Sequence, residues 1–409
     1  MYEIKDIHKI IELSELAREK GLIYPKKRPI FSCLIDDTTP TIIGISGLRG
    51  VGKTIILSQM LNTMKNSLYI SLDSTPIIDL FELAKTLLKQ YKINTLLLDE
   101  IHYYPYWQRD LKKIYDFLKI KVYFTSSVSL QILKADFDLS RRVRIINMPI
   151  FSFREFLWFY YYTSNLIRSS SIDEILQKGA NIDLKYEAFF EEYLHFPIPA
   201  QKQERSPEII QNIIIKIIER DLVYAQDIDS KDIFHLKNLL KFLANSPVGE
   251  IGFSTIAKNM QISNFLATKY TTILEKAYIL NIIYPTGSNT KREPKILFNL
   301  PFRSYLSDLT QNMLAGSIKE DFFGHTMKSN KINIFYLKNK RGKKLPDFMI
   351  EVKNIKYIVE IGGKSKSFAQ FKGISDKYKK IMVTYPYLKK EHSIPLFYFG
   401  FLDYFNLNN

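Results

Sequence analysis

A single cysteine, Cys33, rules out a disulfide framework or a cysteine-based zinc site within one chain, and it suits a reducing compartment. No run of about 18 uncharged apolar residues occurs, so no membrane-spanning helix is expected. The nearest stretch, Phe156 to Ile167 (FLWFYYYTSNLI), is too short and reads as a buried helix. The opening residues, MYEIKDIHKIIELSELAREKG, are charged and amphipathic and lack the apolar centre of a signal peptide. These absences together point to the cytoplasm. Acidic residues are also short: 42 Asp and Glu face 58 Lys and Arg, for a net charge of +16. That balance favours an anionic partner, duplex nucleic acid first; a solvated lysine-rich surface is the other explanation. What is present in quantity is apolar: 46% of the 409 residues, enough for a folded chain of about two to four domains.

The chain is organised around Thr41 to Ile56, TIIGISGLRGVGKTII. Within it Gly47-Leu48-Arg49-Gly50-Val51-Gly52-Lys53-Thr54 fits the phosphate-loop pattern G-x-x-x-x-G-K-[ST]. Ile42, Ile43 and Ile45 precede it as a strand; Ile55, Ile56, Leu57, Met60 and Leu61 follow as a helix. Glycines let the backbone wrap a phosphate, and amides at the helix start point at it. Gly47 through Ile55 is therefore the candidate nucleotide-binding set. Lys53 would neutralise the β- and γ-phosphates of ATP, and Thr54 would hold Mg²⁺.

Short apolar runs alternate with helical patterns as far as Met148, which predicts a parallel sheet covered on both faces. One run, Thr95 to Leu98, ends in Asp99-Glu100. An acidic pair there, about 45 residues past the loop, is the Walker B arrangement. Asp99 would bind Mg²⁺ through water, and Glu100 would orient or deprotonate the attacking water. The next strand ends in Thr125-Ser126-Ser127, where Ser126 would sit beside the γ-phosphate or simply end the strand in a turn. Arg142, in the loop Ser140-Arg141-Arg142, would reach a phosphate in cis or across a subunit boundary, or face solvent.

From Phe151 to Ala244 the pattern is helical, and Ser152 with Glu155 forms a capping box; this bundle is expected to cover the nucleotide as a lid. Residues 231–300 read as helix, helix, turn, helix and a basic hairpin, which is a winged helix. Asn264, Thr268, Thr271 and Thr272 would face DNA, with Lys291 and Arg292 at the wing tip. Such modules also dock proteins. In the tail, Glu320 in a helix, Pro346-Asp347, Glu360 and Lys364 resemble the PD-(D/E)xK nuclease layout. Asp347 and Glu360 would then be a possible second metal site. Lys364 lies two residues beyond the expected lysine position, which Gly362 occupies.

With GLRGVGKT, LLLDEIHYYPYWQRDLKKIYD, YFTSSVSL, LSRRVRIINMPIFSFREFL and LPDF…YIVEIGGKSK in view, nearly the whole chain resembles the prokaryotic AAA-type ATPases abundant in archaea. These join an ATPase domain to a winged helix and a nuclease-like domain. The resemblance implies an α/β fold: a P-loop NTPase parallel sheet (1–150), a helical lid (151–230), a winged helix (231–300) and a C-terminal α/β nuclease-like domain (301–409). It implies that Lys53, Thr54, Asp99 and Glu100 bind and hydrolyse ATP·Mg²⁺. Ser126 stands where the family has a glycine, and Arg141 replaces the glycine before the family arginine matched by Arg142. The expected activity is ATP hydrolysis by a DNA-associated protein. A nucleotide-dependent protein-interaction switch, an ATP-gated nuclease and a replication initiator are the alternatives, and oligomeric state is open.

Overall fold

The computed structural model describes residues 4–37, 42–129, 139, 141–161, 169, 171–178, 184–199, 207–225, 228–249, 251–287, 293–337, 345–363, 368–387 and 393–402. Its contacts divide the chain into two compact units, Met1–Ile150 with Asn212–Asp229, and Phe151–Gln211 with Ser230–Asn409.

The first unit is built on five strands: β1 (Ile42–Ser46), β2 (Ser67–Ser71), β3 (Thr95–Asp99), β4 (Lys121–Ser126) and β5 (Val143–Asn147). All pair in parallel, in the order β2-β3-β4-β1-β5. The apolar runs become strands because both faces are covered. Every residue of β1 and β3 is buried, and Leu96, Leu97 and Leu98 are fully so. Each such side chain contributes roughly 1.5–3 kcal/mol of burial. The first helix, Ile4–Ile23, stops before Pro25, and Pro29 precedes a second, Ile30–Ile35. Asp79 starts the helix Leu80–Tyr91 by accepting the Glu82 amide at 2.9 Å. The loop between β1 and the helix Lys53–Thr63 lies at the carboxyl end of the sheet.

In the second unit, helices Ser230–Asn245, Phe253–Met260 and Asn264–Lys276 precede an antiparallel hairpin of β6 (Leu280–Ile283) and β7 (Lys295–Phe298). Gly252 caps the middle helix, and Ser263 caps the third by accepting the Leu266 amide. The tail forms a sheet of β8 (Asn333–Phe335), β9 (Phe348–Val352), β10 (Ile355–Gly362), β11 (Lys379–Thr384) and β12 (Ser393–Pro395). Its order is β12-β11-β10-β9-β8, antiparallel on the β8 side and parallel on the other. Lys353 and Asn354 take φ of 49° and 67°, so the β9–β10 turn is two residues long, and Val352 already faces Ile355. The helix Gln311–Ser329 packs on this sheet and on β7; a buried Arg303–Asp321 ion pair at 2.5 Å braces it.

Residues 151–211, read as part of the lid, fall in the same compact unit as the tail. The capping box forms as read, with Ser152 and Glu155 exchanging bonds of 2.9 and 3.2 Å. It starts the helix Phe153–Tyr161, whose Phe153 meets Phe190, Phe397 and Phe401. Residues 212–229 leave the expected bundle in the other direction and join the first unit.

Candidate nucleotide site

The loop needs its glycines for space and for backbone sign. A Cβ on Gly47 would collide with the Met148 carbonyl, and Gly50 and Gly52 hold φ of 84° and 96°. Leu48 and Val51 are buried beneath the turn, and Ile55 continues the helix. Lys53 folds back onto the loop, donating to the carbonyls of Gly47 (2.8 Å) and Leu48 (3.1 Å). Burial pulls its pKa below the ordinary lysine value.

Across the loop, Thr54 donates its hydroxyl to Asp99 Oδ2 at 2.7 Å. The same carboxylate accepts from Tyr69 at 2.8 Å and from Thr125 Oγ1. Burial and this neighbouring carboxylate push the Tyr69 hydroxyl pKa upward. Glu100 adopts φ 53°, a left-handed conformation costly to a side-chain-bearing residue. Its amide donates to Thr125 Oγ1 at 2.9 Å, and its Oε2 accepts the Ser127 amide at 3.2 Å. The donor set fits a magnesium nucleotide: Thr54 and Asp99 already share a bond where a hard cation takes oxygen ligands.

Arg142 sits elsewhere, while Ser126 stays beside the loop, its carbonyl accepting the Gly47 amide at 3.1 Å. Ser126 bonds the Val128 carbonyl at 2.9 Å and lies 3.3 Å from His102 Nδ1, so its hydroxyl is committed within the loop. The neighbouring Ser127 faces the carboxylates instead. Arg142 binds Asp116 at 2.9 Å, at the amino end of β5, where its carbonyl accepts the Ile42 amide. The length of β1 separates it from the loop, about 13 Å at strand rise. Arg142 therefore does not serve the nucleotide of its own chain.

Asp221 was not foreseen, and it closes the site. Both its oxygens bind Arg49 of the loop, each at 2.6 Å, and it accepts from Ser127 (2.6 Å) and Tyr103 (3.0 Å). His102 lies between it and Glu100, 3.7 Å from the first and 3.4 Å from the second. Burial would raise the Asp221 pKa, but Arg49, His102 and Ser127 together hold it below the carboxylate range. Burial would lower Arg49, and the Asp221 bond and charge outweigh that, so its pKa rises. A one-turn π-helix, Ile217–Asp221, presents the carboxylate; such turns recur at functional sites. The signal was in the pattern: Ile213, Ile214, Ile217 and Ile218 form a buried stripe, and position 221 continues it with a charge.

In the second unit, β9–β10 register sets Phe348 against Val359, so Asp347 and Glu360 stand opposite each other one step further. Asp347 caps the Ile361 amide at 2.8 Å. Lys295 of β7 reaches Glu320 at 2.5 Å and lies 4.4 Å over the Phe348 ring. Burial, opposed by Lys295 and reinforced by Asp347, raises the Glu320 pKa to about 7. Among the described residues no group of three or more His, Cys, Asp or Glu is placed to hold a metal ion. Lys364 lies outside the described residues, as do Ser140 and the wing-tip pair Lys291 and Arg292. On the third helix Asn264 and Thr268 are exposed, but Thr271 is buried and bonds Ala267 O at 2.7 Å, so it faces the core. Among the described residues no helix is long and apolar enough to cross a membrane.

Residues 39–157 match a family model described as an AAA domain, and residues 195–299 match one described as a domain of unknown function. The uncharacterized protein MJ1637 of Methanocaldococcus jannaschii is 27% identical, over 82% of this chain and 78% of its own. Two solved structures also align with the chain. The Thermotoga maritima RuvB Holliday junction branch migration motor aligns at 13% identity and TM-score 0.25, over 69% of this chain and 91% of RuvB. A structure solved for katanin self-assembly aligns at 13% identity and TM-score 0.26, over 64% and 82%.

Proposed function

We propose that the first unit binds ATP with Mg²⁺ and hydrolyses it. The carrying observation is the Thr54–Asp99 hydrogen bond beside a strained Glu100. These groups come from two chain segments, the start of the helix Lys53–Thr63 and the end of β3, and meet at the mouth of a phosphate loop. Magnesium, held by Thr54 and by Asp99, would neutralise phosphate charge. The loop amides and Lys53 orient the phosphates. The water oxygen bonds to the γ-phosphorus as the bond to the β,γ-bridging oxygen breaks. ADP leaves with that electron pair, and the water proton passes to Glu100.

Duplex DNA is the proposed partner of the second unit. Three helices followed by a hairpin, exposed Asn264 and Thr268, and the net charge of +16 support that reading. Phe265, 77% exposed beside them, supports protein docking as the alternative.

One experiment serves both: phosphate release and ATP binding at several salt concentrations, with and without duplex DNA. Wild type should turn over ATP, and Lys53→Ala should lose tight ATP binding. DNA binding should weaken with a log–log salt slope of several units, about 0.9 per phosphate neutralised. Equal ATP binding by Lys53→Ala would sink the nucleotide site. DNA binding that ignores salt would leave protein docking as the better account.

A further inference from the structure

Phosphoryl transfer at a phosphate loop gains most from a cation on the γ-phosphate oxygens in addition to the loop lysine. Arg142, expected in that role, is bound to Asp116 at the far end of the sheet. Arg49 is better placed, because it belongs to the loop itself. Its guanidinium already grips an anion: both Asp221 oxygens at 2.6 Å, with the Tyr103 hydroxyl at 3.0 Å. That anion is also bonded by Ser127, whose amide is donated to Glu100. One carboxylate therefore occupies the ground between the loop arginine and the hydrolytic carboxylate, where the terminal phosphate of a bound nucleotide would meet both.

Resting on the ATPase reading, we propose that Arg49 is the catalytic arginine for the γ-phosphate, supplied by the loop in cis, and that Asp221 holds it until ATP arrives. A planar guanidinium pairs with phosphate in the same two-bond fork that it uses for carboxylate. The terminal phosphate carries more charge than Asp221 and displaces it. ADP offers no γ-phosphate, so Arg49 stays on Asp221. The Ile217–Ala225 segment is thereby held in the ADP and empty states and let go in the ATP state. Asp221 opposes ATP selectively, because it must yield its partner and then face a second anion.

The test measures ATP and ADP affinity with fluorescent nucleotides, turnover, and the rate of trypsin cleavage after the exposed Arg220. Asp221→Asn should tighten ATP binding about tenfold and leave ADP within about twofold, a selective coupling of ordinary size. Arg49→Gln should abolish the preference for ATP over ADP and slow turnover about 10³-fold, as loss of an arginine finger does. The double variant should match Arg49→Gln. In wild type, ATP should speed cleavage after Arg220 and ADP should not, a reading that needs no variant to fold. Equal cleavage with both nucleotides, or equal affinity shifts in Asp221→Asn, would overturn the proposal while leaving a Lys53-dependent ATPase intact. Failure of wild type to bind ATP through Lys53 would remove both readings.

Discussion

Two places in this chain set carboxylates side by side near strand ends, and they differ in what surrounds them. At the end of β3, Asp99 and Glu100 meet hydroxyls of Thr54, Tyr69 and Thr125 and the Ser127 amide. In the tail, Glu320 pairs with a buried lysine, Lys295, over an aromatic ring, and the nearby charge of Asp347 raises its pKa. Hydroxyls and amides leave room for a phosphate and a cation. A lysine beside a desolvated carboxylate supplies the positive charge from within, and Glu320 still drifts toward its neutral form. The same residue types thus take hydroxyl and amide partners in one unit and a lysine partner in the other.

The sharpest way to break this comparison is to neutralise one carboxylate in each place. Glu100→Gln should keep ATP binding and lose turnover by about 10²–10⁴-fold, the contribution of a positioned base. Glu360→Gln should leave turnover unchanged. Loss of ATP hydrolysis in both, or metal-dependent DNA nicking that disappears in Glu360→Gln, would show that the tail cluster is chemically live.

A smaller effect should appear in stability. Glu320 has a folded pKa of about 7 against an ordinary 4.5, so the folded state keeps a proton that the unfolded state has lost. Stability should therefore fall as pH rises from about 4.5 to 7, by on the order of 3 kcal/mol, and level off above. Lys295→Ala leaves the carboxylates uncompensated and should cost about 3–5 kcal/mol at pH 8, and clearly less at pH 5. Glu320→Gln should flatten the slope. Denaturant melts across that pH range check all three; a Lys295→Ala cost independent of pH would mean that the lysine only packs.

The phosphate loop, the acidic pair after β3, the alternation of strands and helices, and the capping box at Ser152 were legible because each is local. Spacing within about eight residues sets which groups a turn or helix start can bring together. The β9–β10 pairing is local too, because the two-residue turn at Lys353-Asn354 leaves one antiparallel register. Strand order, the move of 151–211 onto the tail, Arg142's place at the wrong end of the sheet and Lys295's entry among the tail carboxylates were not. The clearest case is Asp221, which lies 172 residues from the arginine it holds. An isoleucine stripe interrupted by a charge announces that the charge will be buried. Only folding decides which partner is waiting there, because burial makes a carboxylate seek a cation and contact across so long a loop is settled by the packing of everything between.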